Sequence, residues 1–367
     1  MITSGLDGIV AAATTLSDVD GERGELIVSG FRIDELAPHA TFEETTWLLW
    51  HDDLPTAAQL TDFRTLLASR RAVPAATLAL LRDCARAGTD PMDALRIAAG
   101  AISMSSGDAP AIVGQMPAIV AAFWRLRRGD DPVAPRADLG HAENFLYMLT
   151  GDLPDPERVR ALETYLNTVI DHGLNASTFT CRVIASTGSD LVSAVVGAIG
   201  ALKGPLHGGA PGPALDMVFE IGDASRAEAA LRTKIEAGEK LMGFGHRVYR
   251  VRDPRADVLA VAAERLYTRA GDMSLYTLAR SVEATAIRLL AEYKPGRRLQ
   301  TNVEFYTALL LHGLGLDTAL FTPTFAISRV SGWIAHALEQ QRANRIIRPQ
   351  SEYVGPRGRR WIPIERR

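Results

Sequence analysis

Cysteine is scarce in this 367-residue chain: Cys84 and Cys181 are the only two. Both fall in helical patterns without metal-ligand spacing, which predicts two buried, reduced thiols and a reducing compartment. The eight histidines are scattered. With no His-x-x-x-His or Cys-x-x-Cys pair, a metal site is a poor reading. A Gly-rich phosphate loop of Walker or dinucleotide type is also missing. Neither sign of charge dominates: 40 basic against 43 acidic residues leave a net charge of −3, so no bulk attraction draws the chain to nucleic acid or anionic membrane. Apolar runs such as LVSAVVGAIGAL (191–202) are too short to span a bilayer. The N-terminus lacks a basic region followed by an apolar run, so no signal peptide is expected. These absences predict a cytoplasmic protein without an anchor, and 47% apolar with 23% charged residues is an ordinary globular composition.

What is present is mostly helical. The exception lies at the front, where a turn around Asp20-Gly21 and the apolar run Leu26–Val28 predict a small hairpin. TFEETTWLLWH then opens with a Thr-x-x-Glu capping box, Thr41 to Glu44. TAAQLTDFRTLLASRR, MDALRIAAGAIS, PAIVAAFWRLRRG and HAENFLYMLTG follow, each broken by Pro, Gly or Asp. DPERVRALETYLNTVIDHGLNASTFTCRVIAS reads as one long helical region interrupted at Gly-Leu-Asn. SDLVSAVVGAIGALKG is apolar nearly all round and belongs in a core or at a subunit interface. From about 207 the helices become more charged, predicting smaller, more exposed helices, and core texture returns with TNVEFYTALLLHGLGL. The expected organisation is a large helical domain of residues 1–206 plus 307–367 and a small one of residues 207–306, with a cleft between them suited to ligands and closure.

Four pieces carry candidate chemistry. DHGLNAST contains Asp171 and His172. GPLHGGAP contains His207 among glycines that let backbone approach a ligand; it precedes Pro211 and Pro213, either of which suits a first helical turn. A helix N-terminus beside that imidazole favours its neutral form, able to donate a hydrogen bond to a carbonyl. GFGHRVYRVRDPR holds His246 with Arg247, Arg250, Arg252 and Arg255. Any one arginine is most simply a solvated charge, but the cluster suits an anionic substrate. TNVEFY holds Glu304, for which the strongest alternative is structural: Thr301 to Glu304 is itself a capping box. The basic tail PRGRRWIPIERR is better read as packing on a partner subunit than on RNA.

Taken together, GPLHGGA, GHRVYR…DPR and FAISRVSGWIAHALEQ resemble the citrate synthase family, and the likeness extends from SDVDGERGELIVSGFRIDELA to RIIRPQSEYVG. The resemblance implies an all-α, two-domain homodimer with a small N-terminal β hairpin. It implies condensation of acetyl-CoA with oxaloacetate and hydrolysis of the citryl thioester, with acetyl-CoA as co-substrate and without a metal or permanently bound cofactor. By motif, His207 would hydrogen-bond the acetyl thioester carbonyl, His246 would polarise and protonate the ketone, and Glu304 would take the methyl proton. His172, Arg255 and Arg329 would hold oxaloacetate, Arg348 would reach across from the second subunit, and Arg250 would face CoA phosphate. No N-terminal module of the kind that larger allosteric members carry is expected, nor regulation by NADH.

Two positions depart from the family pattern. Pro211 stands where Asn is usual after HGGA, and Glu304 where the base is usually Asp. Glutamate lengthens the arm by about 1.5 Å, and a misplacement of that size can cost roughly a hundredfold in rate. A pocket readjusted around Glu304 is the expectation. The nearest rival activity is 2-methylcitrate synthase, using propionyl-CoA, because one methyl group gives only about 1–3 kcal/mol of discrimination. A rival of another class is a non-catalytic paralogue that binds CoA or a dicarboxylate.

Overall fold

A computed structural model describes residues 4–6, 8–104, 108–208, 211–246 and 248–367. Arg247 and the Gly209-Ala210 pair of GPLHGGA lie outside the described residues. The chain begins with an antiparallel sheet of β1 (Ser17–Asp20), β2 (Glu25–Val28) and β3 (Phe31–Arg32) in that order. Ser17 pairs with Val28 and Asp20 with Glu25. The expected hairpin therefore has a short third strand, too brief to leave an alternating pattern in the sequence.

Helices follow: α1 (Ile33–Leu36), α2 (Phe42–His51), α3 (Ala57–Ser69), α4 (Ala75–Arg86) and α5 (Pro91–Gly100), then α6 (Ala109–Arg127), α7 (His141–Thr150) and α8 (Pro156–Val169). Thr41 caps α2 as its spacing predicts: its hydroxyl accepts from Glu44 N, and its own N–H donates to the Glu44 carboxylate at 2.7 Å. Thr56 and Gln59 build the same box on α3. The helical stretch PAIVAAFWRLRRG starts at Pro117, yet α6 begins eight residues earlier and runs through that proline. Tertiary packing outweighs the lost hydrogen bond there, because α6 lies in the core against α3, α4, α5, α7 and α16. By length and composition α6 could cross a bilayer, but most of it is buried inside the protein.

The remaining helices are α9 (Ala176–Ser186), α10 (Leu191–Leu202), α11 (Pro211–Ile221), α12 (Ala227–Glu236), α13 (Pro254–Ala270), α14 (Ser274–Tyr293), α15 (Val303–Gly313) and α16 (Phe321–Arg342). The region read as one interrupted helix is two, α8 and α9, with Gly173 at φ +59 in the break. The helices after 207 are not small: α13 and α14 run to 17 and 20 residues. Their charged faces raised the polarity of the sequence without shortening them. α12 packs on α14, α11 on α14 and α15, and α13 on α15 and α8. α16 is the central element. It lies against α2, α6, α8, α9 and α10 and buries Trp333 completely.

Candidate active site

The break between α8 and α9 exists because a short polar network holds it. Asp171 is fully buried. It accepts from Ser17 of β1, and the same hydroxyl accepts the Gly173 N–H at 2.8 Å. Behind it, Arg182 donates to His336 Nδ1 at 2.9 Å, which leaves His336 Nε2 to donate to Asp171 at 3.2 Å. Gly332 lets α16 approach this break: a Cβ there would sit 2.3 Å from the Ile170 carbonyl oxygen. The network presents His172 at the edge of the break.

Two further loops meet His172. The loop after α12 pairs with the loop before α15 through an antiparallel bridge between Phe244 and Thr301. Asn302 clasps it again, donating from its N–H to Gly243 and from its amide to Gly245, at 2.9 and 2.7 Å. The hairpin supports the loop from outside. Gly21 accepts from the Arg250 N–H at 2.8 Å, and a Cβ on Gly21 would lie 2.3 Å from the Val248 carbonyl oxygen. His246 is thereby brought to His172, with ring centroids 5.7 Å apart. Tyr249 lies against both rings, and its hydroxyl is 3.1 Å from His172 Nε2.

Backbone fixes the tautomers of both candidate catalytic histidines. His246 Nδ1 accepts the N–H groups of Val248 and Tyr249 at 3.0 and 3.1 Å. In the neutral ring the hydrogen is therefore on Nε2, which faces the Arg255 guanidinium at 3.4 Å. His207 Nε2 accepts the N–H of Ser177 at 3.3 Å, with the Ser177 hydroxyl at 2.8 Å. A backbone N–H cannot turn away, so Nε2 carries the lone pair and Nδ1 the hydrogen. The helix N-terminus against His207 belongs to α9, whereas the sequence pointed to the Pro211 helix. Burial, followed by the charge of Arg329, lowers His207 to about 4. Burial, followed by Arg255, lowers His246 to about 4. His172 is held well below its ordinary value by burial and then by Arg255 and Arg329. All three rings are neutral donors or acceptors at pH 7.

Glu304 sits at the second position of α15. The capping-box alternative fails: Asn302 is the cap, accepting from Glu304 N at 3.0 Å, while the Thr301 hydroxyl donates to Glu283. The Glu304 carboxylate accepts no hydrogen bond among the described residues. Burial raises it to about 7, against the pull of Arg255 and Arg329. Both arginines are buried. Asp253 takes Arg255 on both carboxylate oxygens, at 3.0 and 2.8 Å, and also accepts the Val303 N–H, tying the starts of α13 and α15 together. Arg329 donates through Nε to the Val169 carbonyl at 2.7 Å and lies over the Phe325 ring.

The arginine cluster after His246 separates in the structure. Arg252 is engaged with Asp257, Glu283 and Thr301 and is structural. Arg250 is exposed, with its Nε 3.9 Å from Glu22. Arg255 alone of the described three enters the site. Arg348 is exposed on the extended tail.

A family model described as "Citrate synthase, C-terminal domain" matches residues 5–350. The chain belongs to the citrate synthase family. It is 42% identical over 377 residues to "Citrate synthase 2" of Bacillus subtilis, covering 100% of this chain and 99% of that one. It is 40% identical over 367 residues to the 2-methylcitrate synthase of Mycobacterium tuberculosis, covering 96% and 91%. Among solved structures, the citrate synthase of Pyrobaculum aerophilum superposes with a TM-score of 0.90 at 39% identity, over 99% of this chain and 95% of that one. The Thermoplasma acidophilum enzyme, described as a ternary complex with carboxymethyl coenzyme A and oxaloacetate, superposes with a TM-score of 0.91 at 30% identity, over 100% and 99%.

His172, His207, His246 and Glu304 all lie within reach of the charges of Arg255 or Arg329, and His172, His246 and Arg255 are neighbours. Sequence reasoning missed four residues that hold them, although all lie inside the quoted motifs: Ser177, which sets His207, Tyr249 and Asp253, which set His172 and Arg255, and His336, behind Asp171.

Proposed function

We propose that this chain condenses acetyl-CoA with oxaloacetate and hydrolyses the citryl thioester, releasing citrate and CoA. One arrangement carries the reading: a carboxylate without a hydrogen-bond donor among the described residues lies within reach of two buried guanidinium groups, which also act on two neutral histidines of fixed tautomer. The Glu304 carboxylate takes a proton from the acetyl methyl. The charge that develops on the thioester oxygen meets His207 Nδ1–H, a donor already in place, which makes removal of so weak an acid's proton feasible. The enolate carbon then attacks the ketone of oxaloacetate, whose oxygen receives the hydrogen of His246 Nε2, and the proton taken by Glu304 goes back to restore that ring. Arg255 and Arg329 neutralise the dicarboxylate and orient its ketone. Water completes the reaction by cleaving the thioester.

Closure of a small domain (207–306) over a large one (1–206 plus 307–367) would dry the cleft and strengthen each of these contacts. We read the protein as a cytoplasmic homodimer, and both cysteines are free, buried thiols, as suits a reducing compartment. Support for the dimer comes from the tail beyond α16, whose Tyr353, Val354, Trp361 and Ile364 are largely exposed, an apolar surface that a second subunit would cover. Arg348 on that tail would complete the partner's site, and Arg250 on the rim would face CoA phosphate. Catalysis would use no metal or resident cofactor, because His246 and Arg255 polarise the ketone themselves.

The test is release of free CoA thiol from acetyl-CoA plus oxaloacetate by the purified protein, before and after dialysis against EDTA. Release unchanged by EDTA supports the reading; no release from folded, ligand-binding protein would favour a non-catalytic paralogue. Relatives named 2-methylcitrate synthase at 40% identity favour one second reading, and kcat/KM with propionyl-CoA against acetyl-CoA decides between them.

A further inference from the structure

Tyr165 on α8 is completely buried, and its hydroxyl has no hydrogen-bond partner among the described residues. Such a group costs the resting fold stability, and its retention calls for an explanation. Its place in the fold is specific. Val169, whose carbonyl holds Arg329 Nε, follows four residues later on the same face of α8. α8 packs against α15, which carries Glu304, and α16, which carries Arg329. Among the described residues, a buried donor without an acceptor thus lies on a helix packed against the one that carries Glu304, within reach of its charge. Burial and then the charge of Glu304 push the phenol well above its ordinary value, so it keeps its hydrogen.

We propose that Tyr165 is the positioning residue for Glu304: a turn of the Glu304 side chain lets the phenol donate to the ionised carboxylate, steadying the arm that is one methylene longer than the family's usual aspartate. The inference rests on the assignment of Glu304 as the base. The phenol keeps its proton throughout and only orients the carboxylate. The other groups facing Glu304 are Arg255 and Asp253 from the start of α13 and Arg329 from α16. His172, His207 and His246, on which Arg255 or Arg329 also acts, are neutral near pH 7.

The experiment is Tyr165→Phe in the full chain, with the Glu304 carboxyl followed by infrared difference titration against Glu304→Gln. Losing a charge-assisted hydrogen bond should raise the midpoint by about one pH unit. The acid limb of kcat should move up with it and kcat fall about tenfold, with KM for oxaloacetate unchanged. At pH 5, where Glu304 is protonated and the hydroxyl stands unpaired, the melting temperature should hold or rise, and at pH 8, where the carboxylate is ionised, it should fall; a purely structural role would lower it at both. In a Glu304→Asp background, where the shorter arm cannot reach, Tyr165→Phe should add nothing. An unmoved midpoint overturns the proposal. So does a rise in KM for oxaloacetate with a fixed acid limb, which would assign the hydroxyl to Arg329 or the substrate. A wild type without citrate synthase activity would defeat the functional reading alone, because the titration needs no turnover.

Discussion

Asp253 grips Arg255 through both carboxylate oxygens, and both side chains are buried. A buried guanidinium deprived of its partner is strongly destabilising. Asp253→Asn should therefore lower stability by about 3 kcal/mol and raise KM for oxaloacetate, because Arg255 loses its aim as well as its counter-charge. Denaturant unfolding alongside steady-state kinetics checks both; a stability loss with unchanged KM would separate Arg255 from the substrate.

Glu304 titrates near 7 in the folded chain, against an ordinary 4.5. As the base it must be ionised, so kcat should fall as pH drops through about 7. The stability effect has the opposite sign. A carboxyl whose folded value is raised favours folding below its unfolded value, and that contribution is lost as pH rises through the folded one. Glu304→Gln should abolish condensation and, at pH 8, stabilise the protein on the order of 2 kcal/mol. Melting curves at pH 5 and pH 8 measure the difference; a variant less stable than wild type at pH 8 would restore a structural role.

His207 is partly exposed, and Ser177 is its side chain's hydrogen-bonding partner. Removing a donor to a developing oxyanion costs roughly a hundred- to a thousandfold. His207→Ala should lose at least that in kcat while melting within a few degrees of wild type. Turnover close to wild type would remove His207 from the chemistry.

Gly332 touches backbone that cannot yield. A methyl there would meet the Ile170 carbonyl oxygen at 2.3 Å and Asp171 Oδ1 at 3.0 Å. Gly332→Ala should displace the segment that carries His172, weakening oxaloacetate binding and lowering the melting temperature together. Calorimetric titration with oxaloacetate, compared with Gly200→Ala on a roomier stretch of α10, tests this.

Local chemistry made part of this architecture legible. Thr41 and Glu44 are three residues apart, so their mutual hydrogen bonds could be read directly. Glu304 misled for the same reason: Thr301 stands at the right spacing, but Asn302 begins the helix and Thr301 turns to Glu283, 18 residues away in sequence. Pro117 shows propensity overruled by burial. His172, His207 and His246 could be picked out as candidates by the glycines and arginines around them. What holds them could not, since Ser17 reaches Asp171 across 154 positions and Arg182 reaches His336 across another 154. Pairings at that range leave no periodicity to detect.

The hairpin joins two of these distant regions, through Ser17 under Asp171 and Gly21 against Val248. Its seat has a practical meaning for anyone preparing shortened versions of the chain. Cutting ahead of Leu26 would discard two fixings of the reaction chamber, so such a product could keep most of its helix signal in circular dichroism and still handle oxaloacetate poorly.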